Sequence, residues 1–283
     1  MTNRSMANRT RRSIALVSEK GGTGKTTTLI NLAQAVRMLG SSCLIIDCDP
    51  QASVSSWFQL VENSTDSSMK KYTNLLPHQE TVRTADELRA IHEQLDNLDA
   101  ENDGYDWVFY DLAGYMGENI EYGSQAEIML EVMRYADCLL TPIIPDAFTV
   151  MQATKATPKF KLALEKLGRT DEVKCFTVLN RIRISESISK QTITDVTNMS
   201  NDGVVWPLLE NYIEHSSSIP NHLANGRNCY IPHVHTKTAK CYEDVLRELI
   251  SKVAPEKVRS VISLSSRKRL ADKQLKQEAK HEA

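Results

Sequence analysis

The chain has 283 residues, 41% hydrophobic and 25% charged, which is typical of a soluble globular protein with one large domain or two small ones. No apolar run reaches the roughly 18 residues of a membrane-spanning helix, and we expect no signal peptide because residues 1–12 lack an apolar stretch. The formal net charge is −2. Residues 1–12 carry four arginines and no acid, and residues 256–283 carry eight basic and four acidic residues, which leaves −10 for the body between them.

The first predicted elements form a strand–turn–helix–strand unit. The apolar, β-branched run at residues 13–18 predicts a buried strand. Apolar residues at helical spacing predict a helix from Thr26 to Leu39, which Gly40 ends as a C-cap. Residues 43–47 are the second predicted strand. Together these elements are one βαβ unit.

The rest of the chain continues the alternation. Residues 62–103 are polar, and we expect them to be a surface elaboration containing one amphipathic helix around residues 88–98. Further strands are predicted at 107–111, 138–144, 175–180 and 204–206, and further helices at 148–167 and 236–253. Unbroken apolar strands that alternate with helices predict an α/β fold with a mostly parallel sheet covered by helices on both faces. We expect 1–12 to be a disordered basic arm, 13–255 the folded domain, and 256–283 a basic C-terminal helix or tail.

The turn after the first strand has the composition of a phosphate-binding loop. It reads Lys20-Gly21-Gly22-Thr23-Gly24-Lys25-Thr26-Thr27. In such a loop the backbone N–H groups and the helix N-terminus bind phosphates, the lysine at position 25 neutralises the β- and γ-phosphates, and the hydroxyl at position 26 binds Mg²⁺. The pattern predicts an ATP site. The ordinary pattern G-x-x-x-x-G-K-[ST] has glycine where this chain has Glu19, and the loop carries the additional lysine Lys20.

With this lysine the loop resembles the deviant Walker A loop of the ParA/MinD ATPases, which segregate DNA or position cargo. Asp47-Cys48-Asp49-Pro50-Gln51 lies where that family carries D-x-D-P-Q, in a form similar to its ParA/Soj branch. The resemblance covers residues 13–255 in the order of elements. It implies a P-loop NTPase fold and a weak, Mg²⁺-dependent hydrolysis of ATP to ADP and phosphate.

The resemblance also implies roles for single residues. Lys20 matches the signature lysine that reaches the partner subunit's nucleotide in an ATP-bound sandwich dimer, and Asp49 matches the carboxylate that orients the attacking water. With Lys25 these form the predicted catalytic set. Asp47 supports the Mg²⁺ shell in this interpretation, beside Thr26 and Asp111. A polar strand end that turns at Pro50 is the alternative for Asp47 and Asp49.

Asp111 ends the third predicted strand and resembles the Walker B aspartate. The family usually continues D-T-P-P, whereas this chain has Asp111-Leu112-Ala113-Gly114, and a helix cap is the alternative role for Asp111. Asn180 matches the position that hydrogen-bonds adenine, with a strand-end turn as its alternative. The predicted nucleotide contacts are therefore Gly21, Gly22, Thr23, Gly24, Lys25, Thr26, Thr27 and Asn180.

In the ParA branch the ATP dimer binds DNA without sequence specificity through basic residues of its C-terminal half. Candidates here are Arg227, Lys237, Lys240, Arg247, Lys252, Arg267, Lys268 and Arg269. Contacts of this kind are made to phosphates and are salt-sensitive. The resemblance further implies ATP and Mg²⁺ as ligands, a homodimer on ATP binding, a ParB-like adaptor that stimulates hydrolysis, no membrane partner, and a cytoplasmic, nucleoid-associated protein. It does not identify the cargo.

Two other functions stay open. A MinD-like or cargo-positioning ATPase would be indicated by a C-terminal amphipathic helix with bulky apolar residues, and residues 256–283 contain no aromatic residue. A metabolic P-loop ligase is the second alternative. An iron–sulfur reductase is excluded because Cys138 is the only cysteine between Cys48 and Cys175; without a C-x-x-C pair, we expect the six cysteines to be reduced structural thiols.

Overall fold

The computed structural model describes residues 11–65, 75–100, 104–114, 124–230 and 237–258. Within these ranges, six strands pair side by side in one parallel sheet in the order β3-β2-β4-β1-β5-β6. The strands are β1 (Arg12–Leu16), β2 (Cys43–Asp47), β3 (His78–Thr81), β4 (Trp107–Asp111), β5 (Cys138–Ile143) and β6 (Lys174–Leu179).

Helices connect the strands, as a parallel sheet requires. They are α1 (Lys25–Met38), α2 (Ser53–Glu62), α3 (Ala85–Ala100), α4 (Ser124–Tyr135), α5 (Ala147–Lys166), α6 (Ser187–Asn201), α7 (Ser218–Ala224) and α8 (Lys237–Val253), followed by a 3₁₀ turn at Pro255–Lys257. Measured over the described ranges, none of the helices has the length and hydropathy that a bilayer span requires.

Alternate side chains of the strands enter two cores on opposite faces of the sheet. Ile14 and Leu16 of β1 pack in a cluster with residues of α1, α2 and α8. Ala15 lies on the other face, in a cluster with residues of α3, α4 and α5. Burying each large apolar side chain contributes about 1.5–3 kcal/mol. Because both faces are covered, the central strands β1, β2, β4 and β5 are largely apolar, which is why the sequence pattern predicted them.

The α/β class and the parallel sheet with helices on both faces are confirmed. The strand predicted at 204–206 is wrong. Val205 and Trp206 are buried, but they follow the turn that ends α6 and do not form a strand. The Thr177 hydroxyl of β6 donates to the Trp206 carbonyl at 3.1 Å, and Thr177 forms an isolated bridge with Leu208. Burial in a loop produced the same apolar pattern as a strand.

The sixth strand is β3, which lies within the segment predicted to be a surface elaboration. Three of its four residues are exposed, since it is the outermost strand and pairs only with β2. An exposed edge strand has no apolar pattern, so sequence periodicity could not find it. The predicted amphipathic helix is present as α3, which packs Leu88 and Leu95 against the sheet.

Both ends of the described domain are held near the start of β1. Arg11, predicted to lie in a disordered arm, is buried and pairs with Asp96 of α3 at 2.6 Å, while residues 1–10 lie outside the described residues. Arg12, the first residue of β1, pairs with Glu256 at 2.8 Å. Most of the predicted basic tail, from residue 259 onwards, also lies outside the described residues.

The sheet order brings the predicted site residues together. β1 is flanked by β4 and β5, and β2 by β4 and β3. Asp111, which ends β4, is level with Leu16 of β1 and with Asp47 of β2. The phosphate-binding loop, the D-x-D-P-Q segment and Asp111 therefore share one edge of the sheet, at the carboxyl ends of the strands, where ligands bind in open α/β folds.

Candidate nucleotide-binding site

The loop between β1 and α1 reaches the helix through a residue that must be glycine. Gly24 is the N-cap of α1 and has a positive φ of 86°. A Cβ built on it lies 2.4 Å from Nδ2 of Asn180, so a side chain is excluded by both conformation and space. Gly21 and Gly22 are exposed. Their N–H groups and the start of α1 are therefore accessible to an anion.

Lys25 begins α1 and its side chain is buried inside the loop. Its Nζ donates to Oγ of Ser18 at 3.1 Å and to the carbonyl oxygen of Lys20 at 3.4 Å. Burial lowers the pKa of Lys25, and the charges of Asp111 and Asp49 partly oppose this. A buried ammonium held by two neutral oxygens is poorly compensated, so a phosphate is a better partner for it.

Three of the predicted nucleotide contacts, Thr23, Thr27 and Asn180, make hydrogen bonds that hold the loop and the first turn of α1 in place. Thr23 is buried, with its hydroxyl 3.3 Å from that of Ser18, and the carbonyl of Thr27 accepts from Asn31 of α1 at 2.8 Å. The buried amide of Asn180 donates to the carbonyl of Thr23 at 3.0 Å. The end of β6 thus supports the loop from behind. The contact of Asn180 with adenine stays a prediction.

Asp111 and Thr26 fit the place of a divalent cation. The Asp111 carboxyl group is fully buried, and Oδ2 accepts from the Thr26 hydroxyl at 2.7 Å. Oδ1 has no hydrogen-bond partner among the described residues. Burial raises the pKa of Asp111 from 3.8 to about 7, an effect that the Thr26 hydroxyl opposes and the nearby Asp47 reinforces. A buried carboxylate with an unpaired oxygen next to a hydroxyl is a donor set that Mg²⁺ favours.

Asp47 is bonded to the turn that carries Asp49. Its buried carboxylate accepts from the amide and hydroxyl of Ser55 at 2.9 and 2.7 Å, and from the amide of Asp49 at 3.2 Å. The Asp49 side chain is half-buried, and it accepts from the amide of Gln51 at 2.9 Å. Asp47 therefore orients Asp49, and its predicted support of the metal shell stays a prediction.

Arg83 follows β3 and lies over the same turn. Its Nη1 donates to the carbonyl oxygens of Val82 at 2.9 Å, Asp49 at 3.2 Å and Asp47 at 3.5 Å. The guanidinium therefore ties the ends of β2 and β3 together beside Asp49. Sequence analysis missed this residue because its strand was not predicted.

Gly114, which follows β4, lies directly against the phosphate-binding loop. A Cβ on this residue lies 2.7 Å from the amide nitrogen of Gly21 and 2.8 Å from the carbonyl group of Lys20. Only a glycine lets the segment after Asp111 approach the loop this closely. This chain has Gly114 where the D-T-P-P pattern ends in proline, and the glycine allows the backbone to approach Lys20 and Gly21 of the loop.

The Lys20 side chain contacts the start of α5. Its Nζ lies 3.2 Å from Oδ2 of Asp146, the N-cap of α5, and 4.5 Å from the ring centroid of Phe148. The hydrogen bond from the Thr149 hydroxyl lowers the pKa of Asp146, and Lys20 lowers it further. Both members of the pair are partly exposed. Sequence analysis missed Asp146, although an aspartate just before a predicted helix is a recognisable N-cap signal.

The predicted DNA-binding residues are spread over the C-terminal part. α8 buries its apolar face, which includes Tyr242 and Leu246. On this helix Lys237 and Lys252 pair with Glu214 and Glu248 at 2.6 and 3.7 Å.

Lys240 is exposed and Arg247 half-buried. Arg227 lies outside α8, and its carbonyl accepts from Trp57. Arg267, Lys268 and Arg269 lie outside the described residues. The contact of these residues with DNA therefore stays a prediction.

A parallel sheet in this order, with a glycine-rich loop between its central strand and a helix, defines a P-loop nucleotide-binding protein. The family model of the CobQ/CobB/MinD/ParA nucleotide binding domain matches residues 14–281. The chain belongs to this family, which confirms the resemblance to ParA and MinD proteins.

The chain is similar in sequence to known proteins over a short segment, and similar in structure to others over most of its length. Over 45 residues the chain is 53% identical to the chromosome-partitioning ATPase Soj of Thermus thermophilus, a match that spans 16% of this chain and 18% of that protein.

A putative plasmid partition protein of Borrelia burgdorferi bound to AMPPNP superposes with a TM-score of 0.58 at 16% identity, over 86% of this chain and all of that one. Cobyrinic acid a,c-diamide synthase of Mycobacterium smegmatis, with bound ADP and magnesium, superposes with a TM-score of 0.57 at 16% identity, over 87% of this chain and 96% of that one. These two likenesses show the fold alone.

Proposed function

We propose that this protein is a partition-type ATPase that dimerises on ATP, binds DNA without sequence specificity and is released when an adaptor protein stimulates hydrolysis. The observation that carries the proposal is the position of Lys20. It lies in the phosphate-binding loop, yet its partly exposed ammonium group pairs with Asp146 at the start of α5 and not with another residue of the loop. A lysine so placed can exchange Asp146 for a phosphate in a second copy of the chain.

The surroundings of the loop support a dimer at this edge. Phe148 and Met151 at the start of α5, and Ile184 and Ile188 at the start of α6, are exposed. Both helix starts follow carboxyl ends of strands, so these apolar side chains lie on the same edge as the loop. Apolar residues around a polar site are a common feature of protein interfaces.

Each residue of the site has a proposed part in hydrolysis. Lys25 leaves Ser18 to neutralise the β- and γ-phosphates, and Asp49, held by the Asp47 turn, orients the attacking water. Lys20 of the second copy adds positive charge where the transition state accumulates negative charge. Mg²⁺ held by Thr26 and supported by Asp111 would neutralise phosphate oxygens. With few groups to activate the water, we expect slow hydrolysis that a partner stimulates.

The fold does not separate partition from ligase chemistry, because a partition protein and a diamide synthase superpose about equally well. Lys20 together with Asp47-x-Asp49-Pro50-Gln51 favours partition, as does the local identity to Soj. We further propose a ParB-like adaptor as the stimulating partner and a cytoplasmic, nucleoid-associated protein.

The proposal is tested by measuring the molecular mass of the protein in solution and its affinity for DNA. Light scattering after gel filtration should give a monomer with ADP and a dimer with ATP and Mg²⁺. DNA affinity should appear only with ATP and should fall steeply from 50 to 200 mM salt, by ~10³-fold if about six phosphates are contacted. A monomer under both conditions, or equal DNA binding with ADP, contradicts the proposal.

A further inference from the structure

Glu19 and Lys20, two consecutive residues of opposite charge at the start of the loop, each form an ion pair with α5. The Glu19 carboxylate forms an ion pair with Nζ of Lys159, in the second half of α5. The next residue, Lys20, pairs with Asp146 at the N-terminus of α5, at 3.2 Å. The segment that leads from β1 into the loop is thus attached to α5 at two separated points.

The two pairs differ in how easily they separate. The Glu19 side chain is 9% exposed and Lys159 38%, whereas Lys20 and Asp146 are 35% and 41% exposed. Water can replace either partner of the outer pair at little cost. Loss of Lys159 would leave the Glu19 carboxylate buried without a counter-charge, which is strongly unfavourable. The Glu19 pair is therefore the lasting attachment and the Lys20 pair the exchangeable one.

The start of the loop and α5 also border a small cavity. Ser18, Glu19, Lys20 and Thr23 face Thr149, Gln152, Ala153 and Ala156 of α5 across a narrow gap. On the α5 side the gap is lined by three short side chains and one glutamine, so the two ion pairs are the charged contacts across it. The two ion pairs therefore contribute to the position of the loop relative to α5.

We propose that Glu19 and Lys159 are positioning residues, which keep the start of the loop fixed on α5 while Lys20 leaves Asp146 for a nucleotide in the second copy. The inference rests on the proposed dimerisation over ATP. Neither residue needs to touch the nucleotide. Glu19 occupies the position that is glycine in ordinary phosphate-binding loops, so this attachment has a direct basis in the sequence.

The experiment reverses the charges of the pair in the full chain. Glu19→Lys and Lys159→Glu are compared with the double variant, and Lys155→Glu is the matched control, because Lys155 is an exposed lysine of α5 with no partner among the described residues. The readouts are ADP affinity of the monomer, the dimer dissociation constant with ATP, and the melting temperature.

Each single variant should keep ADP affinity, which depends on Lys25 and the loop amides, and should weaken ATP-dependent dimerisation at least about tenfold. The double variant should recover most of the loss, and Lys155→Glu should match wild type. Normal dimerisation of the single variants, or a double variant no better than either single one, overturns the inference. If a single variant fails to fold, the neutral pair Glu19→Gln with Lys159→Met must still show weaker dimerisation, and a wild-type result overturns the inference.

A second readout needs no dimer. In nucleotide-free protein, acetic anhydride should label Lys20 about threefold faster in Lys159→Glu than in wild type, because the loop leaves α5 and exposes the ammonium group. The labelling of Lys155 is the internal reference. If wild type stays monomeric with ATP, the proposed function fails, and the labelling ratio alone decides this inference: an unchanged ratio overturns it.

Discussion

Asp111→Asn should stabilise the nucleotide-free protein at alkaline pH, although Asp111 is the aspartate predicted to support the metal. The native carboxyl group is fully buried, its Oδ1 has no partner among the described residues, and burial raises its pKa from 3.8 to about 7. Asparagine has nearly the same shape and can still accept the Thr26 hydrogen bond through its oxygen. It removes the charge that the apo site must bury.

The size of the effect follows from the two pKa values. The native state holds the Asp111 proton more tightly than the unfolded chain, so stability from this group is complete below pH 3.8, declines as the pH rises from 3.8 and is lost above about 7. At about 1.4 kcal/mol for each tenfold change in proton affinity, the ionised group costs the fold about 4 kcal/mol at most. The stabilisation by Asp111→Asn should therefore approach that figure at pH 8.5 and be much smaller at pH 5.

The assay is urea unfolding in EDTA, without nucleotide, at pH 5 and pH 8.5. Asp47→Asn is the control on the neighbouring strand. The Asp47 carboxylate accepts three hydrogen bonds, so this substitution should lower the free energy of unfolding by about 1–3 kcal/mol. If Asp111→Asn gives the same change at both pH values, or destabilises at pH 8.5, the explanation from buried charge is refuted.

Five further substitutions test the other proposed roles. Lys20→Ala should bind ADP as wild type does but fail to dimerise with ATP in light scattering, and normal hydrolysis by this variant contradicts the assigned role. Asp49→Ala should accumulate an ATP-bound, DNA-bound dimer in a DNA retention assay, and a variant that stays monomeric with ATP contradicts the sandwich arrangement. Gly114→Ala should lower ATP affinity at least about tenfold in a titration, because its Cβ forces the loop backbone to move; unchanged affinity shows that the loop tolerates the shift. Lys240→Glu and Arg247→Glu should each reduce the salt slope of DNA binding by about 1 if that lysine or arginine contacts a phosphate, and an unchanged slope removes the residue from the interface.

The sequence predicted the central part of the fold well because buried parallel strands and the loop have strong local patterns. Residues 14–17, 43–46 and 107–110 form apolar runs, and each is followed by a polar residue at the same edge. The edge strand β3 could not be predicted, since its residues are polar and exposed. What makes it a strand is pairing with β2, a contact between distant parts of the chain.

The sequence indicates the residues of the candidate site but not the residues that pair with them. Lys20, Lys25 and Asp111 stand out in sequence, whereas Asp146 and Lys159, which pair with the loop, lie more than 120 residues further along the chain. No local pattern marks a partner at that distance. Cys138 and the other five cysteines carry no disulfide or metal signal, and each of them is a free thiol in the structure.

The ion pair between Arg12 and Glu256 has a consequence for protein engineering. It joins the first residue of the central strand to the 3₁₀ turn that follows α8, so a short linker can connect the two ends of the folded domain with little loss of chain entropy. The chain can then be circularly permuted and opened at the exposed turn around Gly203. Such a permutant leaves the residues of the nucleotide site uncut and places both new termini in the exposed turn after α6, where a fluorescent reporter can be attached.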